Sequence, residues 1–396
     1  MVSPFTTAPS GSIDSPAMRS AGRELLSLAL MDARNQTLGL LAHFEKSLAA
    51  QNWVVPLRPE LNPPLWELGH IGWFQERWIG RNPQRHLGTR CDPLAPQLPS
   101  HLPHADRWWD SSVVAHDSRW TLDLPNYEAI KGYLLTTLEE TLDLLSQTPD
   151  EDDALYFYRL VLFHEDMHGE ALIYTAQNLG LQLSLPMPMP LVQREPIHVP
   201  TTRWHLGLDA GHGFAFDNER PAHEVAVPEF EIDAQAVSWS QFMEFVQDGG
   251  YDRPELWHAA GWDWVVEKSS DKPSKPLHRH GQQPAMHLSW WEADAWCRWA
   301  GRRLPSELEW EVAAHKAARQ GFRWGDVWEW TNSPFMGYPG FVADPYRDYS
   351  EPWFGTHQVL RGASFATRAR MKSPKYRNYF LPGRCDIFSG FRSCAI

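Results

Sequence analysis

The sequence predicts an α+β protein of two domains, a helical bundle followed by a mixed domain. Its 396 residues exceed what one hydrophobic core usually organises. Apolar residues recur at three- and four-residue spacing in the first half, and short strand-like runs alternate with turns in the second. Between them, methionine alternates with proline from Pro186 to Pro190, which excludes a helix. We therefore expect a disordered lead-in over 1–16, a bundle over 17–185, a proline-rich linker over 186–200 and the mixed domain over 201–396.

Four segments carry the helical spacing, namely Ser20 to Leu48, Pro64 to Ile79, Pro125 to Leu145 and Asp152 to Leu179. Asn126 is placed to cap the third helix, and Gly180 follows the fourth where a C-cap glycine belongs. The stretch from Gly88 to Leu124 predicts a long loop. In the second half we expect strands over Glu224 to Val227 and Glu229 to Ile232, and helices over Trp290 to Ala300 and Ser306 to Ala314.

Composition excludes several classes of partner. The formal charge of -13 offers no basic surface for a phosphate backbone, so nucleic acid is not expected as a partner. No apolar run has the length of a membrane span or the form of a signal peptide. The 4 cysteines are scattered without a CxxC pair, which favours a reducing cytoplasm. The 21 tryptophans are typical of pockets for flat or sugar-like ligands, and the oligomeric state stays open.

Three histidines form the predicted metal site. His164 and His168 are four residues apart on one helix, so their imidazoles project from the same face. Glu170 lies on roughly the opposite side of that helix, which leaves the third ligand to another segment. His70, in an apolar run flanked by tryptophan, is the expected third donor. Three neutral nitrogens with open positions suit a catalytic zinc or iron equally.

The two acidic neighbours of His164 allow two interpretations. Glu165 and Asp166 are placed either to hydrogen-bond the ligand rings or to remain solvated helix charges. We expect Asp166 to be solvated.

Several separated motifs resemble one enzyme group, the sulfoxide synthases of ergothioneine and ovothiol biosynthesis with selenoneine synthase. In this group a DinB-like four-helix bundle precedes a domain similar to the formylglycine-generating enzyme, which has a C-type-lectin-like fold. The resemblance runs from about residue 30 to the C-terminus. Its markers are Gly69-His70 with Trp73-Phe74, His164 to Glu170, Trp239 with Phe242 to Phe245, Arg302 to Glu311, Trp328 to Thr331, Leu360 to Ser364 and Gly390 to Arg392. The segment from Leu304 to Trp310 is expected only to maintain the fold.

The resemblance implies a chemistry for these residues. The three histidines would hold a non-haem Fe(II), which binds dioxygen and the chalcogen of one substrate. The chalcogen would be joined to the imidazole carbon of hercynine, a trimethylated histidine, to give a sulfoxide or selenoxide. Asn378, Tyr379 and Phe380 match the stretch that meets this betaine, and aromatic faces suit its quaternary ammonium.

Departures from the group pattern concern the substrate. Met167 stands where sulfoxide synthases commonly carry a glutamine that bonds the betaine imidazole. Of two arginines that often bind the carboxylates of the sulfur donor, Arg119 alone is evident. Fewer cations and more tryptophan favour a neutral selenosugar or thiosugar donor. Phe335 replaces a frequent tyrosine, and nearby Tyr338 is the expected proton donor.

We therefore expect an iron- and oxygen-dependent enzyme of the selenoneine synthase branch. The close alternative is an ergothioneine sulfoxide synthase that uses cysteine or γ-glutamylcysteine. A second class is a zinc-dependent DinB-like thiol transferase or hydrolase. A third is a lectin-like binding module without catalysis, because folds of this class often bind ligands only.

Overall fold

The computed structural model describes residues 11–183, 185–209, 211, 213–268 and 281–396. Residues 1–10 of the expected lead-in lie outside this set. The described part of that segment contacts the second half of the chain, since the carbonyl of Ile13 accepts a hydrogen bond from Arg370. A short 3₁₀ turn follows over Pro16–Ser20, with Met18 fully buried. Packed structure therefore begins before the predicted boundary at residue 17.

The first half is a helical bundle. Its helices are α1 (Arg23–Leu48), α2 (Pro64–Gln75), α3 (Ala105–Trp109), α4 (Tyr127–Ser146) and α5 (Asp152–Asn178). The predicted caps are confirmed, because the Asn126 side chain accepts from the backbone N–H of Ala129 and Gly180 has φ +73°. Helix α1 packs on α5, and α2 packs on α4. No helix among the described residues combines the length and apolarity needed to cross a bilayer.

Two local features of the bundle differ from the sequence pattern. Helix α2 ends at Gln75 and passes into a π-helical turn over Glu76–Gly80. The predicted long loop contains α3, whose Trp109 is fully buried. The helical spacing of α3 is too short to be visible in the sequence, because five residues complete barely more than one turn.

The second half is an α+β domain. It contains β1 (Ile197–Val199), β2 (Thr202–Leu206), β3 (His223–Val227), β4 (Phe230–Ile232), α6 (Trp239–Gln247), α7 (Ala259–Glu267), α8 (Trp290–Trp299), α9 (Glu307–Lys316), β5 (Trp328–Pro334), β6 (Gln358–Gly362), β7 (Asn378–Phe380) and β8 (Ser389–Phe391). Strands β1 and β4 pair antiparallel, as do β2 and β3. The four-stranded sheet has the order β7-β6-β5-β8, in which β5 and β8 run parallel. The predicted strands and helices of this half are confirmed within a few residues.

Strand β7 lies at the edge of the four-stranded sheet and pairs only with β6 among the described strands. The sheet packs on helix α9, whose start is fixed by a capping box between Ser306 and Glu309. Trp310 of this helix is fully buried and donates its indole N–H to Glu329. The capping box and the buried Trp310 of this segment therefore maintain the fold.

Buried charge pairs join the two halves. Arg370 donates to both carboxylate oxygens of Asp166 over 2.6 and 2.8 Å, and both side chains are inaccessible to solvent. The expectation that Asp166 is solvated was therefore wrong, because an arginine from the second half meets it across the interface. Glu165 bonds Arg34 of α1 and is turned away from the histidines, so neither acid orients a ligand ring.

Candidate metal centre and substrate cavity

The three predicted histidines converge. Their ligand nitrogens all lie within 4.8 Å of one another, with 3.1 Å between the Nε2 atoms of His164 and His168. Helix α5 supplies that pair at i and i+4, and α2 brings His70 against them. His70 and His164 are almost fully buried, while His168 is half-buried at the edge of a cavity.

Hydrogen bonds set the orientation of two of these rings. Nδ1 of His70 lies 2.8 Å from the carbonyl oxygen of Trp109, and Nδ1 of His168 lies 2.5 Å from Oε1 of Glu67. Because a carbonyl and a carboxylate only accept, Nδ1 of each ring carries the proton and the Nε2 lone pair is free. A carboxylate or carbonyl behind a histidine is the usual outer partner of a metal ligand.

Sequence reasoning missed Glu67. It stands three residues before His70, on the same side of α2, and this spacing was the available signal. The spacing did not show that the Glu67 carboxylate accepts a hydrogen bond from His168, which lies on α5.

A glycine allows this arrangement at α2. A Cβ at Gly69 would lie 2.1 Å from the ring of Trp109, so only glycine lets that indole pack against the helix. The close approach brings the Trp109 carbonyl to His70. Two further indoles flank the imidazole, with ring centroids 5.1 Å away for Trp66 and 5.6 Å away for Trp73.

The electrostatics keep the imidazoles of His70 and His164 neutral. Burial, with His168 nearby, lowers the pKa of His70 to about 3, and burial likewise holds the pKa of His164 well below its usual value. Burial alone would raise the pKa of Glu67, but its contacts with His168 lower it to about 2. Neutral nitrogens backed by one ionised carboxylate fit a divalent cation, which need not displace protons from such ligands.

The site opens into a cavity of about 600 Å³. His164 and His168 line one side, and all three residues of β7, the predicted betaine segment, line it as well: Asn378, Tyr379 and Phe380. Trp328 and Tyr376 add aromatic surface. The structure therefore brings the predicted metal and substrate residues, which are more than 200 positions apart in the chain, to one enclosed space.

Arg119 and Met167 also line this cavity. Arg119 donates to Oδ1 of Asn62 over 2.7 Å and covers the ring of Trp66 at 3.8 Å. The sulfur of Met167 accepts from the hydroxyl of Tyr376 over 3.2 Å, with Tyr349 at 3.7 Å. Both predicted residues thus stand where a substrate could reach them.

Tyr338, the predicted proton donor, is not among the residues that line the cavity. This side chain is buried outside the cavity, where its hydroxyl bonds Glu307 and Arg361 in an ion-pair network of the second domain. Tyr346 lies in the cavity instead, with its ring centroid 6.2 Å from that of His164. No hydrogen bond from its hydroxyl is found among the described residues. Burial raises the pKa of Tyr346, so the hydroxyl stays protonated.

Fold and site together define a class of two-domain proteins in which a helical bundle holds three imidazoles as a candidate metal site and an α+β domain supplies the facing wall. The sulfatase-modifying factor enzyme 1-like domain family matches residues 192–326. The hercynine oxygenase of Mycolicibacterium smegmatis is 33% identical to this chain, over 93% of the chain and 98% of that protein. The hercynine oxygenase of Mycobacterium tuberculosis is 30% identical over 93% and 98%. The formylglycine-generating enzyme of Streptomyces coelicolor is 31% identical over 36% of this chain and 54% of its own.

The chain belongs to the hercynine oxygenase family, because the similarity extends through both domains. The expected resemblance to the ergothioneine-type sulfoxide synthases is thereby confirmed, as is the formylglycine-generating-enzyme-like second domain.

Proposed function

We propose that the chain is a non-haem Fe(II), O2-dependent enzyme that joins a selenium or sulfur donor to the imidazole carbon of hercynine, in selenoneine or ergothioneine biosynthesis. The single observation that supports this most is the cavity that β7 shares with His164 and His168 of the three-imidazole cluster. The similarity to two hercynine oxygenases supports hercynine as the acceptor.

The donor set fits the proposed iron. His70, His164 and His168 would hold the metal through neutral nitrogens and leave positions for dioxygen and the chalcogen, which is the chemistry that bound Fe(II) supplies. In the overall reaction the donor loses its S–H or Se–H hydrogen and hercynine loses its C–H hydrogen. A carbon–chalcogen bond forms, one oxygen atom of O2 remains on the chalcogen, and the other leaves as water.

The charge of the cavity supports a cationic acceptor. Three carboxylates without an arginine or lysine ion-pair partner among the described residues line it, against Arg119 as the one guanidinium or ammonium group of the described lining: Glu67, Glu170 and Asp348. A fourth lining carboxylate, Asp166, is paired with Arg370. The trimethylammonium of hercynine carries a permanent positive charge, which favours both the acidic surroundings and the faces of Tyr379 and Phe380. Asn378 supplies an amide for the imidazole or carboxylate of the same substrate.

Four neighbouring positions in the cavity lining support an uncharged donor. Polar side chains occupy them, namely Asn62, Ser111, Ser112 and Arg119. γ-Glutamylcysteine brings two carboxylates, of which a single arginine neutralises one. A selenosugar or thiosugar presents hydroxyls that serine, asparagine and arginine side chains can bond, which leaves its chalcogen for the proposed iron. Met167, on the adjoining wall, offers no amide to the acceptor, so Asn378 carries that contact.

We assign the role of proton donor to Tyr346 rather than Tyr338. Its protonated hydroxyl has no hydrogen bond among the described residues, and its ring centroid lies 6.2 Å from that of His164. By contrast, Tyr349 and Tyr376 already bond each other over 3.2 Å. We also retain the cytoplasm as the proposed location, since none of the four cysteines forms a disulfide.

The test is a parallel incubation of anaerobically iron-loaded protein with hercynine and one donor, followed by addition of oxygen and product mass measurement. The donors are cysteine, γ-glutamylcysteine, 1-thioglucose and 1-selenoglucose. We expect a product with a carbon–chalcogen bond, formed faster from a sugar than from γ-glutamylcysteine, and dependent on both iron and oxygen.

Two variants serve as controls. His164→Ala should abolish product and lower the bound metal, whereas the matched His43→Ala, on α1 away from the cavity, should change neither. Full thiol transferase or hydrolase activity of the zinc-loaded protein without oxygen would contradict the oxygenase proposal. Faster turnover of γ-glutamylcysteine would contradict the argument about the donor alone.

A further inference from the structure

A continuous chain of hydrogen bonds runs from the donor end of the cavity to a metal ligand. Arg119 donates from Nη1 to Oδ1 of Asn62 over 2.7 Å. Asn62 donates from Nδ2 to Oε2 of Glu67 over 2.7 Å. Nδ1 of His168 lies 2.5 Å from the other oxygen of the same carboxylate. All four side chains line the cavity.

The asparagine is suited to its place between a cation and an anion. Its amide oxygen can only accept and its amide nitrogen can only donate, so one orientation satisfies Arg119 and Glu67 together. In the flipped orientation, the amide nitrogen would face the guanidinium of Arg119 and the amide oxygen would face the carboxylate of Glu67. Arg119 therefore fixes which end of Asn62 meets the carboxylate that holds His168.

A packing route parallels the polar one. The guanidinium of Arg119 covers Trp66 at 3.8 Å, and Trp66 stacks on His70 with an interplanar angle of 8°. Arg119 thus contacts Trp66, the immediate neighbour of His70, and reaches Glu67, the hydrogen-bond partner of His168, through Asn62.

We infer that Asn62 and Glu67 are positioning residues that couple the binding of a donor at Arg119 to the hydrogen bond between Glu67 and His168. This inference rests on the proposed function of Arg119 as the donor contact. With Arg119 unoccupied, its charge polarises the Asn62 amide and draws charge from Glu67. A donor group that accepts a hydrogen bond from Arg119 offsets this pull. Glu67 then accepts more strongly from the Nδ1–H of His168, and His168 becomes a stronger electron donor at Nε2.

Metal-free protein tests the relay directly. In protein labelled with 15N at histidine, the Nδ1 proton of His168 reports the strength of its bond to Glu67 through its chemical shift. We expect Arg119→Leu to move this resonance downfield, because it removes the cation and mimics a neutralised Arg119. Asn62→Ala should move it further in the same direction, since Glu67 loses a competing donor. Asn62→Leu, which keeps the side-chain volume, should repeat the result.

Cobalt binding gives a second readout. Co²⁺ titration, followed by its visible spectrum, measures the donor strength of the three imidazoles without turnover. Arg119→Leu should tighten Co²⁺ binding by about threefold or more when Asn62 is present, and by clearly less in the Asn62→Ala background.

The matched control is Arg77→Leu. Arg77 stacks on Trp73, which flanks His70 as Trp66 does, but has no bond to Asn62. It should leave the His168 resonance in place.

An Arg119→Leu effect of equal size with and without Asn62 would mean that Arg119 acts through space, and the relay would be overturned. An unmoved His168 resonance in both Asn62 variants would overturn it as well. These failures are distinct from failure of the proposed function. The metal site is tested by whether wild-type protein binds Co²⁺ and His164→Ala does not, and the oxygenase by product formation.

Discussion

Replacing Gly69 by alanine should disrupt the metal centre without touching a ligand. The added Cβ would lie 2.1 Å from the Trp109 ring, whereas carbon atoms in contact are about 3.6 Å apart, so the indole must move by about 1.5 Å. Trp109 is fully buried and stacks on Tyr133 with ring centroids 5.3 Å apart, so it has little room to move. Its displacement carries the backbone carbonyl away from Nδ1 of His70.

The magnitude follows from two opposing terms. Alanine in place of glycine stabilises a helix interior by about 1 kcal/mol. Overpacking costs roughly 1–3 kcal/mol, and a shift of this size belongs at the upper end. The free energy of unfolding should therefore fall by about 2 kcal/mol. Loss of the hydrogen bond from Nδ1 of His70 to the Trp109 carbonyl should weaken Co²⁺ binding by about 10- to 100-fold.

Two glycines provide matched controls. At Gly72, one turn further along the same helix, a Cβ would meet Tyr133 at 3.1 Å, and the two terms should nearly cancel. At Gly39 of α1 nothing lies within 4 Å, so alanine there should stabilise the protein by about 1 kcal/mol. The assays are urea unfolding and Co²⁺ titration. Equal behaviour of Gly69→Ala and Gly72→Ala in both would refute the reasoning.

Three further outcomes are expected. Tyr346→Phe should lower the rate of product formation by about 100-fold or more while hercynine binding, measured by calorimetry, changes little, because only the hydroxyl is removed; an unchanged rate would exclude this tyrosine as the proton donor. Arg370→Met should lower the free energy of unfolding by about 3–5 kcal/mol, because it leaves Asp166 charged and buried without its partner; a loss below about 1 kcal/mol in urea unfolding would contradict that account. Burial, with Asp344 nearby, raises the pKa of Asp217 to about 6. The folded chain therefore retains a proton that the unfolded chain releases at about pH 3.9. The free energy of unfolding falls as the pH rises between these two values. Asp217→Asn should therefore be more stable than wild type by about 1–3 kcal/mol at pH 7 and equal to it at pH 4, as melting at the two pH values would show; the same gain at both would refute the assignment.

Much of the site was predictable because its signals are local. His164 and His168 are neighbours on any helix that contains both, and the spacing alone places their rings together. The order of the second-domain motifs predicted its α+β architecture, which is confirmed. The three residues of β7 were predicted to meet substrate, and they do line the cavity, although their individual roles remain proposals.

Errors and omissions arose where a partner is distant in sequence. Asp166 looks like a solvated helix charge until Arg370, more than 200 positions away, meets it in the interface. Tyr338 was selected by its motif, but the fold places it in a buried ion-pair network and brings Tyr346 to the cavity instead. Glu67 was overlooked because its carboxylate serves a histidine on another helix.

By itself, then, the sequence determined the elements, the fold class and the three histidines, since periodicity, capping and ligand spacing act over a few residues. Only the tertiary structure decided which faces of those elements meet. That decision came from close packing, such as the approach that Gly69 permits to Trp109, and from the requirement that buried charges find partners. Both depend on contacts between segments far apart in the chain, and a local sequence pattern does not indicate such contacts.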